Sequence, residues 1–81
     1  MKVYLVIGGE KGEGGSVKGV YLNRKKAMEI GKRLAIKWSK DYMAPVKKVK
    51  ELHSYSIEQG TIAEWHITCD YVTVEEREVI E

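Results

Sequence analysis

Residues 3–7 form a short apolar run whose side chains fall on both faces of an extended backbone. Such a run predicts a strand buried on both sides and central in its sheet. Gly8, Gly9, Gly12, Gly14 and Gly15 follow within eight residues, which predicts a flexible loop over 8–16. Residues 17–22 restore the strand pattern, so the loop joins an antiparallel hairpin, and Gly19 marks a bulge or a side chain crossing the backbone. From Arg24 the period becomes 3.6, behind Asn23 as N-cap. Ala27, Met28, Ile30, Gly31, Leu34, Ala35, Trp38 and Tyr42 share the apolar face of this helix. Lys25, Lys26, Glu29, Lys32, Arg33, Lys37 and Lys40 occupy the other. Pro45 ends the helix near Tyr42 or Met43. A helix of about 20 residues is about 30 Å long and a six-residue strand about 20 Å, so Trp38, Tyr42 and Met43 should overhang the first hairpin.

Beyond a basic connector, residues 51–57 alternate weakly, and Glu58, Gln59 and Gly60 make a three-residue turn with glycine at the position of positive φ. That register sets Tyr55 against Ala63 and His53 against Trp65. Apolar positions are then odd (Ala63, Trp65, Ile67, Cys69, Tyr71) before becoming even (Val72, Val74, Ile80). A bulge near Asp70 and Tyr71 accommodates the change in a continuing strand. A C-terminal helix from Thr73 competes with that strand, because Thr73 and Glu76 have capping-box spacing. The predicted fold is α+β: a β-β-α-β-β chain, residues 1–81 as a single domain, with a four-stranded antiparallel sheet and one long amphipathic helix on one face.

Composition agrees with one small globular domain: 81 residues, 43% hydrophobic and 32% charged. A single cysteine excludes an internal disulfide, and no apolar run approaches the roughly 20 residues of a membrane helix. A cytoplasmic protein with no membrane contact is expected. The net charge of +2 changes meaning once it is divided. Residues 24–50 hold ten basic groups against two acidic ones, whereas residues 51–81 hold one against eight. Near-neutrality is a cancellation of two opposed segments.

Candidate chemistry is sparse. The glycine-rich stretch leads into a strand rather than a helix, lacks the phosphate-loop lysine element, and carries Glu10 and Glu13, which repel anions. His66 and Cys69 would point to opposite faces of one strand, which leaves Cys69 a buried small hydrophobe and no metal site. His66 and Asp70 would share a face. No nucleophile or acid–base pair stands at a recognisable spacing, so neither catalytic residues nor cofactors are expected. The basic helix face, continued by Lys47, Lys48 and Lys50, could follow a phosphate backbone, but it has no asparagine or glutamine to read bases. Ile36 stands apolar among Lys32, Arg33, Lys37 and Lys40, as in a protein contact. Glu75, Glu76, Glu78 and Glu81 either protect an edge strand or face a basic partner.

The stretch Val3-Tyr4-Leu5-Val6, with Lys18-Gly19-Val20-Tyr21-Leu22-Asn23-Arg24-Lys25-Lys26-Ala27-Met28-Glu29-Ile30, resembles the opening of small proteins of phages and mobile elements. In those a short hairpin ends in a capped helix with an alanine four residues past the cap, as Ala27 follows Asn23. The resemblance implies an accessory regulator or inhibitor that docks on a host protein in the host cytoplasm. Partner contacts are expected at Lys32, Arg33, Ile36, Lys37 and Lys40, or at Trp38, Tyr42 and Met43. The alternative is a nucleic-acid-binding domain using the basic residues of 25–50. A homodimer formed through exposed edges or Trp38 is a third possibility.

Overall fold

A computed structural model describes residues 1–41, 43, 60–67 and 69–80, and the backbone of 47–49. The elements are β1 (Lys2–Glu10), β2 (Gly14–Tyr21), α1 (Arg24–Asp41), β3 (Lys47–Val49), β4 (Thr61–Ile67) and β5 (Asp70–Glu78). The sheet order is β2-β1-β5-β4-β3, and every pairing is antiparallel. The expected α+β fold is therefore present: four main strands with one long helix across a face, and the three-residue β3 extending one edge.

Asn23 starts the helix as its sequence predicts. Its Oδ1 accepts from the Lys26 N–H at 2.9 Å, and its carbonyl accepts from the Ala27 N–H at 3.1 Å. Asn23→Ala should therefore cost about 1 kcal/mol, read as a lower urea midpoint at unchanged m-value. The helix buries Ala27, Gly31 and Ala35, spaced four apart, with Met28, Ile30, Leu34 and Trp38 packed around them. These small residues let the helix lie close on Val6, Ala63, Trp65, Ile67, Val72 and Val74. It ends at Asp41, and Met43 takes a left-handed φ of 51° while its N–H donates to the Lys40 carbonyl at 3.3 Å. Tyr42 lies outside the described residues.

Several expectations are corrected. The first strand is central, between β2 and β5, but the helix covers only its Val6 and Gly8 side; Val3, Leu5 and Ile7 face away from the helix. The glycine-rich stretch is no flexible loop. Strand pairing continues through Gly8, Gly9, Gly14 and Gly15, leaving a turn of Lys11, Gly12 and Glu13, with Gly12 and Gly14 at positive φ. The Lys11 N–H donates to the Cys69 carbonyl at 2.7 Å, tying this turn to the next hairpin. Because β1 has nine residues, about 30 Å, the 18-residue helix does not overhang it. Trp38 instead lies over Gly8, where a Cβ would come within 2.7 Å of the indole, and the Lys18 ammonium sits 6.0 Å from the ring centroid.

The parity change is a hairpin, not a bulge: β4 and β5 meet at Ile67↔Asp70, and Cys69 between them is exposed rather than buried. The turn also puts His66 and Asp70 on opposite faces of the sheet. Trp65 lies between Lys48 of β3 and Val72 of β5. The expected strand at 51–57, with the pairings of Tyr55 and His53, falls outside the described residues, whereas Gly60 has the expected positive φ of 87°. The C-terminal stretch continues as strand, so no helix starts at Thr73. A bulge does occur beside Gly19: Val6 pairs with Gly19 but Ile7 with Val17, so Lys18 is the extra residue. The Tyr21 ring crosses over Gly19.

The acidic end protects no edge, because β5 is interior. Glu76 meets Lys2 at 3.1 Å, Glu75 meets Arg77 at 3.0 Å, and Glu78 meets the N-terminal amine at 3.1 Å. The hydrogen bond and charge of Glu76 hold the exposed Lys2 ammonium above its ordinary pKa. Glu81 lies outside the described residues.

Candidate functional site: two opposed surfaces

The helix presents one surface. Lys25, Lys26, Glu29, Lys32, Arg33, Lys37 and Lys40 are exposed, as 3.6 residues per turn requires of the positions opposite Ala27, Gly31 and Ala35. Ile36 stands 39% exposed on this surface. Lys32 and Lys40 are one helical turn before and after it, with Arg33 and Lys37 alongside. Among the described residues, none of these cations forms an ion pair. The predicted contacts therefore separate. Lys32, Arg33, Ile36, Lys37 and Lys40 form one continuous patch, Trp38 is half-buried over Gly8, and Met43 is 94% exposed beyond the helix end.

The sheet presents the other surface, on the side without the helix. Alternation places Val3, Leu5 and Ile7 of β1 there, opposite Val20 and Val17 of β2. The bulge at Lys18 brings an odd and an even residue, Val17 and Val20, to this one side. Met1 and Val79 continue the β1–β5 ladder past the strand ends, the Val79 N–H donating to the Met1 carbonyl at 2.8 Å, and Leu22 follows β2 directly. Four of the eight exposed large hydrophobics among the described residues, namely Met1, Val17, Val20 and Val79, thus lie on this side, with exposed Leu22 at its rim.

The β5–β4 half of the same side is polar, with Tyr71, Thr73, Glu75 and Arg77 beside Glu64 and His66. A shallow hollow of about 260 Å³ lies here, lined by Lys11, Gly12, Glu64, His66, Tyr71 and Thr73. His66 Nε2 is 3.4 Å from Glu64 Oε2, a contact that becomes an ion pair when the imidazole is protonated. Its lining offers hydrogen-bond donors and acceptors around an open depression. Among the described residues no three His, Cys, Asp or Glu side chains gather to hold a metal.

No family model, curated protein or solved structure matches this chain. No helix among the described residues is long and apolar enough to cross a membrane.

Sequence reasoning found the helix patch and missed the sheet face. The signal was present in residues 3–7, which are apolar on both sides of the strand while the sequence supplies one helix to cover them. Among the described elements the one helix covers one face of the sheet, and the other carries Val3, Leu5 and Ile7.

Proposed function

We propose that this chain is a non-enzymatic protein-binding module, an accessory regulator of the phage type that docks on a host protein through its helix. The observation that supports this reading is Ile36, 39% exposed at the centre of Lys32, Arg33, Lys37 and Lys40, none of them in an ion pair among the described residues. Solvation accounts for the cations, and a protein contact accounts for the apolar residue among them. The complementary partner surface is acidic with an apolar pocket. Charge then steers encounter, and burial of Ile36 slows release.

Affinity capture from a host lysate should recover one specific protein, and the purified partner should bind Ile36→Asp at least about 30-fold more weakly. An empty capture, or equal binding by Ile36→Asp, would sink the proposal. The same lysines would serve a nucleic-acid backbone, and a salt titration separates the two readings. Steep loss of DNA or RNA affinity with salt, with a slope reduced in Lys32→Glu/Lys37→Glu, would assign the surface to nucleic acid. The protein-binding reading expects no such complex at low salt.

A further inference from the structure

The helix-free side of the sheet carries an inference independent of the helix patch. We infer that this side is the interface of a two-fold homodimer in which the β1–β2 halves of two copies pack face to face. The apolar part is Val3, Leu5 and Ile7 with Val17, Val20 and Leu22; Val20 is 58% exposed and Leu22 69%. Together with Met1 and Val79 this surface offers about 500 Å² per copy, or about 1,000 Å² in a pair, the lower bound for a specific interface. That is the size of the largest apolar patch of a typical monomer, which is often functional.

The area and self-complementary apolar character of this face fit a second copy as the occupant, and the distribution of charge selects its orientation. A face packs on its own copy only about a two-fold axis lying in the interface plane. With the axis along the strands, between β1 and β2, each β2 lies over the other copy's β1 and apolar side chains meet apolar side chains. The polar halves, with Glu64, Glu75 and Arg77, then project outward on opposite sides and stay in water. With the axis across the strands, each polar β5–β4 half would pack on its own copy, burying Glu64, Glu75 and Arg77 against the same charges, which repulsion and desolvation oppose. The first arrangement is an aligned sheet sandwich with a helix on each outer side. Lys18 is no obstacle, since the bulge turns it toward Trp38 on the helix side. Both helices, each with its Ile36, remain on the outer sides.

Sedimentation velocity from roughly 1 to roughly 200 µM should show a monomer giving way to a species of twice its mass. Val20→Glu, at a solvent-exposed position, should keep the circular dichroism spectrum and stay monomeric throughout, its dimer dissociation constant raised at least about 100-fold. Val17→Lys is the second variant, expected to act likewise. Ile36→Asp should dimerise as the parent does, which keeps this result separate from the helix reading. A parent chain that is monomeric over the whole range overturns the dimer. So does a dimer that survives both Val20→Glu and Val17→Lys, or one abolished by Ile36→Asp instead. A monomer that loses a heterologous protein on Val20→Glu assigns the face to that protein and equally overturns it.

Discussion

Trp65→Ala is expected to remove about 3–5 kcal/mol of stability, a large share of the roughly 4–12 kcal/mol that a domain of this size holds. Trp65 is 3% exposed and lies on β4 between β3 and β5, facing the helix. A Cβ on Gly31 would come within 2.9 Å of its ring, so the indole fills the space beneath the helix midpoint. Truncation loses the transfer energy of the ring and leaves a cavity. Its floor is β4 and β5, each hydrogen-bonded to a strand on both sides, so only the helix above it can move to close it. A fall in midpoint temperature of roughly 15–30 °C follows for a chain of 81 residues, measurable by thermal circular dichroism. A loss below about 1 kcal/mol would mean that the ring contributes little to the core.

Gly31 supplies the second large effect, with a competition of signs. In a helix interior, glycine to alanine ordinarily gains about 1 kcal/mol. Here the added methyl would stand 2.9 Å from both the Trp65 ring and a Val74 methyl, two side chains buried in the core. Overpacking of this kind costs about 1–3 kcal/mol, so Gly31→Ala should be neutral to destabilising, and Gly31→Val should lose about 3 kcal/mol or more. The mechanism shows in a double-mutant cycle: with Trp65→Phe the Gly31→Ala penalty should shrink by about 1 kcal/mol, since the smaller ring yields the space. Additive urea-unfolding energies would place the strain elsewhere, and a stabilised Gly31→Ala would show that the helix simply lifts.

The helix was legible because 18 residues keep one period behind a capping asparagine, and no other element explains Lys and Arg on one side of it and Ala27, Gly31 and Ala35 on the other. The strand pair at the C-terminus was half legible. A switch from odd to even apolar positions has two physical origins, an extra residue in one strand or a reversal of the chain. No glycine, proline or asparagine between Ile67 and Asp70 signals the reversal. The glycine-rich stretch misled for the opposite reason: Gly8 and Gly15 accommodate the Trp38 ring and the Tyr71 hydroxyl within paired strands, a close approach that composition alone reads as looseness. In the candidate surfaces, Ile36 was visible from helical spacing. The sheet face was not, because it depends on strand order and on the bulge that turns Val17 and Val20 to one side.

The pairing of β1 with β5, the first strand with the last, also governs how the chain reaches this structure. The β1–β2 and β4–β5 hairpins and the helix use near neighbours and form on microsecond scales. Joining the two hairpins closes the stretch 22–60 between them, about 40 residues, and that entropy must be lost before any β1–β5 contact compensates for it. High contact order therefore puts the slow step at the centre of the sheet, and the assembly of the whole falls toward milliseconds or longer. Until that closure, Val6 on one hairpin and Val72 and Val74 on the other remain in water beside unpaired strand edges. The interval before the two hairpins meet is when this chain is most open to aggregation.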